Sequence, residues 1–254
     1  YTDEIIRNTT TSGTVYKDMN GKKYAENISQ LALANVDFDM QNRHHISYNL
    51  MMIHANTQSV GDYNGKNSIF SDDYENLGFT RRQQTNDNML IVNQLMTNWG
   101  LTKSLSLDAG ASYNMVKGYE PDRRINNLTK AEDGYTLLRG NSQQRYFSTL
   151  DEDDLNVKAG LVYRLKDNIE EISNVRFGYT GRFVDDNFKA TEYNLTVGHV
   201  STLPSLDDFS LDDYYNQENF ASDWFKIQKN LDEYTVKKNI HSAYAEATYQ
   251  FTPR

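Results

Sequence analysis

The chain has 254 residues, a formal charge of −9, a pI of about 5.1 and no cysteine. An acidic chain without a basic stripe excludes a nucleic-acid partner, because phosphate neutralisation needs clustered Lys and Arg. The absence of Cys excludes disulfides and thiolate metal sites, and no run approaches the roughly 18 apolar residues of a transmembrane helix, so any membrane crossing falls to strands.

The pattern along the chain is strand-like throughout. The first predicted strand, about residues 1–17, meets the second, about 23–40, through Met19-Asn20-Gly21-Lys22, where Asn-Gly suits a two-residue hairpin turn. The second sets Ala32, Ala34, Val36, Phe38 and Met40 against Asn35, Asp37 and Asp39, then turns at Gln41-Asn42-Arg43. The third, about 44–59, carries Ile46, Tyr48, Leu50 and Met52 on one face. A polar loop over about 60–84 precedes a fourth strand, about 85–98, whose Met89-Leu90-Ile91-Val92 is apolar on both faces.

Past the short turn Trp99-Gly100-Leu101-Thr102, the fifth strand alternates Leu105, Leu107, Ala109, Ala111, Tyr113 and Met115 with Ser104, Ser106, Asp108, Ser112 and Asn114. A second long loop runs from Lys117 to Glu152. The clearest hairpin follows, from Leu155 to Val184: Leu155, Val157, Ala159, Leu161, Tyr163 and Leu165 share one face, with Asn156, Lys158, Gly160 and Arg164 on the other. Its second strand opposes Val175, Phe177, Tyr179 and Phe183 to Arg176, Gly178, Thr180 and Arg182. The longest loop is 196–233, and the eighth strand, about 234–251, sets His241, Ala243, Ala245, Ala247, Tyr249 and Phe251 against Ser242, Tyr244, Glu246, Thr248 and Gln250.

Successive side chains of a strand point to opposite faces, so each of these strands has one oily and one wet side. The turns near 42, 100 and 170 are short and lie at one end, whereas the loops near 70, 135 and 215 are long and lie at the other. Short turns at one end and long loops at the other are the arrangement of an outer-membrane barrel with its periplasmic and extracellular ends. A mean hydropathy of −0.75 does not oppose this, since only every second residue of a spanning strand must be apolar. The 18 Tyr, 11 Phe and 2 Trp fit the aromatic girdles of such barrels. The expectation is an all-β fold, an antiparallel transmembrane β-barrel segment, with residues 1–254 forming part of a single barrel domain. The chain opens on Tyr1-Thr2-Asp3-Glu4-Ile5-Ile6 and stops at Phe251-Thr252-Pro253-Arg254; the expectation is a segment of a longer polypeptide.

The chemistry is sparse. Lys158, Arg164, Arg176, Arg182 and Glu246 read as charges keeping an interior polar. His44 and His45 point oppositely on a strand, and His44 and His54 stand more than about 30 Å apart along it, so the three do not make one metal site. The acidic repeat around Asp207, Asp208, Asp212 and Asp213, with Tyr214, Tyr215, Phe220, Trp224 and Phe225 beside it, is the candidate ligand-binding segment. Its carboxylates lack the Gly-containing spacing of an EF-hand; its aromatics suit stacking on a sugar or peptide, or packing as a loop cap. No nucleophile motif, phosphate loop, dinucleotide fingerprint or zinc signature is present. The reading is therefore not an enzyme, with no cofactor and no metal.

Several stretches resemble the barrel of TonB-dependent receptors, in particular the large ones of Bacteroidetes. These are Tyr1-Thr2-Asp3-Glu4-Ile5-Ile6 with Tyr24-Ala25-Glu26-Asn27-Ile28, the segment Asn93-Gln94-Leu95, Gly110-Ala111-Ser112-Tyr113-Asn114, Pro121-Asp122-Arg123-Arg124, and Tyr244-Ala245-Glu246-Ala247-Thr248-Tyr249-Gln250-Phe251. Where the family often has a Gly-Val-Glu strand, this chain reads Leu33-Ala34-Asn35-Val36-Asp37. The resemblance implies a wall segment of a roughly 22-stranded plugged transporter in the bacterial cell outer membrane. It implies as partners outer-membrane lipid, a surface lipoprotein, a nutrient ligand such as a siderophore, oligosaccharide or peptide, and a TonB complex reached through parts not in this chain. No plug is recognisable. Two other readings of the pattern are a soluble Tyr-rich β-sandwich that binds glycans and a small outer-membrane barrel enzyme.

Overall fold

The computed structural model describes residues 1–41, 43–67, 78–131, 134–138, 140–165, 173–199, 202–203 and 214–251. All described strands belong to one antiparallel sheet: β1 (Thr2–Thr9), β2 (Val15–Met40), β3 (His44–Asn67), β4 (Gly78–Gly100), β5 (Leu105–Ala131), β6 (Gly134–Leu137), β7 (Gly140–Arg164), β8 (Asn174–Val197), β9 (Thr202–Leu203) and β10 (Phe225–Thr248). The pairing order β1-β2-β3-β4-β5-β7-β8-β10 is a meander, with β6 and β9 branching from β5. One short helix, α1 (Gln217–Ala221), is N-capped by the Asn216 side chain accepting from the amide of Asn219. No described helix is long and apolar enough to cross a membrane.

The register arranges the alternation of separate strands into two coherent faces. On one, the row Val36, Tyr48, Leu95, Ala111, Val157, Gly181, His241 is followed by Phe38, Ile46, Thr97, Ala109, Ala159, Tyr179, Ala243 and then Met40, His44, Trp99, Leu107, Leu161, Phe177, Ala245. This apolar band spans about ten residues of each strand, or about 33 Å along it. It slants across the sheet. Its upper edge lies at Ala32 on β2 but at Ala243 on β10, six residues beyond Lys237, which shares Ala32's row. A drop of about 20 Å over six strand spacings of about 4.8 Å is a slant of about 35°.

Nothing among the described residues covers the band: Leu95 is 51% exposed, Leu161 44% and Phe177 60%. Among the described residues, two buried clusters lie instead toward the long-loop end, one around Phe79, Leu128, Leu137, Leu195, Val197, Tyr214 and Phe225, the other around Met19, Tyr63 and Leu138.

The strands are far longer than their apolar patterning. Residues 60–67, 78–84, 117–131 and 140–152 are strand rather than loop, and at the longest connection only the segment between Val197 and Phe225 lies outside the two long strands. Toward the long-loop end the alternation in hydropathy stops while pairing continues through polar and aromatic cross-strand partners. Arg81 forks onto Asp62 with bonds of 2.7 and 2.6 Å, and Phe188 stacks on Tyr234 at 5.0 Å. Where β5 parts from β7, Gln143 takes over as a strand edge: its amide nitrogen donates to the Asn127 carbonyl (2.7 Å) and its oxygen accepts from the Asn127 amide (2.8 Å).

The turn expected at Met19-Asn20-Gly21-Lys22 is inside β2. The chain reverses at 10–14 instead, where Gly13 has φ +84° and its amide donates to the Thr10 carbonyl. Gly21 serves close approach: a Cβ there would overlap the Asp62 carbonyl oxygen and the Tyr63 ring, which crosses the position so that its hydroxyl donates to Glu4 at 2.6 Å. That hydrogen bond and burial push the Tyr63 phenol up to about 12, burial being the larger cause. β2 and β3 are joined by a short connection between Met40 and His44, and β4 and β5 by one between Gly100 and Leu105, as expected; Asn42 and the turn near 170 lie outside the described residues.

β1 and β10 form the two edges. β1 covers β2 only between Val15 and Lys23, so from Tyr24 to Met40 β2 is itself an edge.

Candidate functional site

The face opposite the apolar band is polar and is built row by row. Asp39, His45, Asn98, Asp108, Gly160, Gly178 and Tyr244 share one row; Asp37, Ser47, Met96, Gly110, Lys158, Thr180 and Ser242 the next; Asn35, Asn49, Gln94, Ser112, Asn156, Arg182 and Ile240 the third. Arg182 donates from Nη2 to Asp154 at 2.9 Å, and Lys158 stands 3.6 Å from Asp108. Arg176 and Glu246 face each other in register. A groove of about 410 Å³ lies on this face, lined by Gln94, Ser112, Asn156, Lys158, Arg182 and Ile240 among others. Gly160 and Gly178 leave room for the Tyr244 ring, which lies against Gly178 with its hydroxyl toward Gly160. Along these three rows the face can therefore donate and accept hydrogen bonds.

The histidines are separated as the spacing required. His44 stacks on Trp99 at 4.0 Å, His45 reaches Asp39 at 2.8 Å, and His54 reaches Asp87 at 2.5 Å. No metal-ligating group of three or more is present among the described residues.

At the long-loop end, Asp207, Asp208, Asp212 and Asp213 lie outside the described residues. Tyr214, Tyr215 and Trp224 are brought together, packed onto Phe79, Leu128, Leu137, Leu195, Val197 and Phe225. Tyr214 is buried, and its hydroxyl donates to the carbonyls of His199 (2.5 Å) and Trp224 (3.2 Å). Trp224 stacks on His199 at 4.3 Å. Burial raises the phenol pKa of both tyrosines, and for Tyr215 the neighbouring Tyr214 adds to it. The Tyr215 hydroxyl oxygen is buried without a hydrogen-bond partner. These rings form a cap over the strand ends, with Tyr214 buried and Tyr215 and Trp224 half-buried. Tyr214→Phe should take the hydroxyl donor from the His199 carbonyl, while the Trp224 carbonyl still accepts from the amides of Gly198 and His199; the cost should be about 1 kcal/mol, read as faster proteolysis of the segment between Val197 and Phe225 with the strands below unaffected.

Sequence reading missed two clusters. Asp122 accepts from Arg124 Nε (2.6 Å) and from Arg145 Nη2 (2.6 Å), tying β5 to β7 above the apolar band. Burial opposes the charge, but these two guanidiniums outweigh it and hold the carboxyl below its ordinary value. Its folded pKa lies below the unfolded one, so the contribution is present above the usual carboxylate pKa near 3.9 and is lost as pH falls through the lower folded value. Asp122→Asn should lower thermal stability at pH 7 and flatten its fall at acidic pH; the same melting curve for both proteins at every pH would contradict the pairing.

The second missed cluster is the run Asp151-Glu152-Asp153-Asp154, which lies within β7 and not in a loop. Its signal was visible, since four consecutive carboxylates on a strand must divide between both faces.

No family model, curated protein or solved structure matches the chain.

Proposed function

We propose that this chain is part of the β-barrel wall of an outer-membrane TonB-dependent receptor that imports a nutrient ligand through a plugged barrel. The observation that carries the barrel reading is the uncovered apolar band, about ten residues tall, confined to one face and slanted by about 35°. Strands in closed barrels tilt by roughly 35–45° from the axis, and a lipid belt perpendicular to that axis crosses the strands at this slant. Rings border the band: Trp99 and His44, Tyr163, and Tyr249 with Phe251 on the short-turn side, and Tyr113, whose hydroxyl donates to Asp153 at 2.6 Å, on the other. A soluble sandwich needs a second sheet over its oily face, and the described strands make one sheet.

Seven strands cross the band, and its edge strands β2 and β10 run in the same direction. Antiparallel closure therefore takes an odd number of further strands, a count met by a larger barrel and by one of eight alike; among the described strands β1 and β10 do not pair, which agrees with a wall segment of a larger barrel. The family resemblance supplies the receptor class, and the role is transport without catalysis. In this reading the long-loop end is extracellular and meets the ligand and a surface lipoprotein, the polar face lines the lumen, and coupling to TonB occurs through parts not in this chain.

Fractionation and surface proteolysis test the placement. The protein should partition with the outer membrane, and protease added to whole cells should cut between Val197 and Phe225 but not at the turns at 41–43 or 101–104. Recovery in the soluble fraction, or cleavage at the short turns alone, would overturn it.

A further inference from the structure

The polar face is interrupted by an apolar patch. In the row Leu31, Ile53, Leu90, Val116, Glu152, Asp186, Val236, four aliphatic residues in succession lie on β2 to β5. The next row adds Leu33, Met51 and Val92 before Asn114, Asp154, Val184 and Lys238. Polar rows bound the patch on both sides, Ser29, Ala55, Asn88, Gly118 above and Asn35, Asn49, Gln94, Ser112 below. Leu31 and Leu33 are 63% and 69% exposed, so among the described residues nothing covers them.

Beside the patch, Glu152 and Asp186 face each other directly across β7 and β8. Like charges directly opposite are destabilising. Neither forms an ion pair within the limit of about 4 Å with a described residue, and the nearby Arg182 is already bonded to Asp154. The Oδ1 atoms of Asp186 and of Asn114 are buried with no hydrogen-bond partner. One row thus offers an aliphatic surface that runs into a pair of carboxylates with no close ion-pair partner among the described residues, Arg182 acting on Glu152 only from a distance.

Resting on the lumen assignment above, we infer that this row is a docking site for an extended peptide whose aliphatic side chains lie on Leu31, Leu33, Met51, Ile53, Leu90, Val92 and Val116, and whose basic side chain enters between Glu152 and Asp186. From Leu31 to Asp186 is five strand spacings, about 24 Å, the length of about seven extended residues and longer than a typical small metabolite. Aliphatic contact excludes a bare oligosaccharide, and the carboxylates disfavour an anionic ferric complex. The substrate class selected is a basic, aliphatic peptide.

The test uses the full chain in detergent micelles and a dye-labelled seven-residue peptide of alternating leucine and serine ending in two lysines, followed by fluorescence anisotropy. Saturable binding is expected, at least tenfold weaker for the same peptide with glutamates in place of the lysines, and absent for maltoheptaose. Glu152→Gln with Asp186→Asn should weaken the lysine peptide at least tenfold without lowering the melting temperature, since both changes are nearly isosteric and remove a like-charge repulsion. Leu33→Asn, at an exposed position, should weaken both peptides alike. Equal affinity for lysine and glutamate peptides, indifference to these variants, or binding of the sugar alone would overturn the inference. Detergent-independent solubility of the chain would instead sink the barrel reading, and peptide binding measured in plain buffer would still decide this one.

Discussion

Leu161→Arg should abolish or severely reduce assembly of the protein into membranes, while Lys158→Ala should assemble as the parent does. The two residues sit three apart on β7, and their parity places Leu161 in the apolar band beside Leu107 and Phe177, and Lys158 on the opposite face. A charged side chain at the lipid-facing midplane costs roughly 2–4 kcal/mol. Lys158→Ala removes only a half-exposed partner of Asp108 at 3.6 Å, and such pairs contribute about 0–1 kcal/mol. The comparison is read from the fraction of each variant that acquires protease resistance in lipid vesicles. Equal yields would mean that the band does not face lipid.

Gly21→Ala is expected to be as damaging as a core substitution, although it lies in an exposed strand. The added Cβ would overlap the Asp62 carbonyl oxygen, a backbone atom of the paired strand, and the Tyr63 ring. The ring can rotate away; the carbonyl can move only by shifting the β2–β3 pairing. Overpacking of this kind costs about 1–3 kcal/mol. Gly118→Ala is the control, because its Cβ would find Asn88 and Leu150 at 3.4 Å, ordinary van der Waals contact. Thermal melting should separate the two by several degrees, and removing the ring as well, in Gly21→Ala with Tyr63→Ala, should not restore the parent value. Indistinguishable melting of the two glycine variants would show that the sheet gives way at Gly21 without cost.

How much of this was legible beforehand follows from what alternation can report. Over Leu105–Met115 and Leu155–Val184 one face is oily, so the period of two announced both the strand and its facing, and the register joins those faces as the pattern implied. From Lys117 to Ala131 both faces carry polar or mixed residues, and a segment held by Arg145 on Asp122 and by Arg123 over the Tyr146 ring reads as loop in one dimension. Asn20-Gly21 misled for a related reason. Glycine marks turns and close approaches alike, and only the position of the Tyr63 ring tells which applies.

The candidate site was legible in part. Tyr214, Tyr215 and Trp224 are neighbours in sequence and meet in one cluster, but whether such rings stack on a ligand or on each other depends on Phe79, Leu128 and Leu195, contributed by strands remote in sequence. The apolar patch on the polar face had one visible trace, Met89-Leu90-Ile91-Val92, apolar on both sides. Its meaning emerges only when Leu90 and Val92 are aligned with Ile53, Met51, Leu31 and Leu33 across two strand pairs.

The absence of native cysteine makes the central claim directly measurable. A single cysteine introduced in turn at each position from 155 to 163 can carry a spin label, and the protein reconstituted in lipid vesicles can be probed with oxygen, which concentrates in lipid, and with a water-soluble nickel complex. A period of two is expected, with 155, 157, 159, 161 and 163 accessible to oxygen and shielded from nickel, and 156, 158, 160 and 162 the reverse. Nickel accessibility at every position, or shielding of 155–163 from both reagents, would contradict a lipid-facing band.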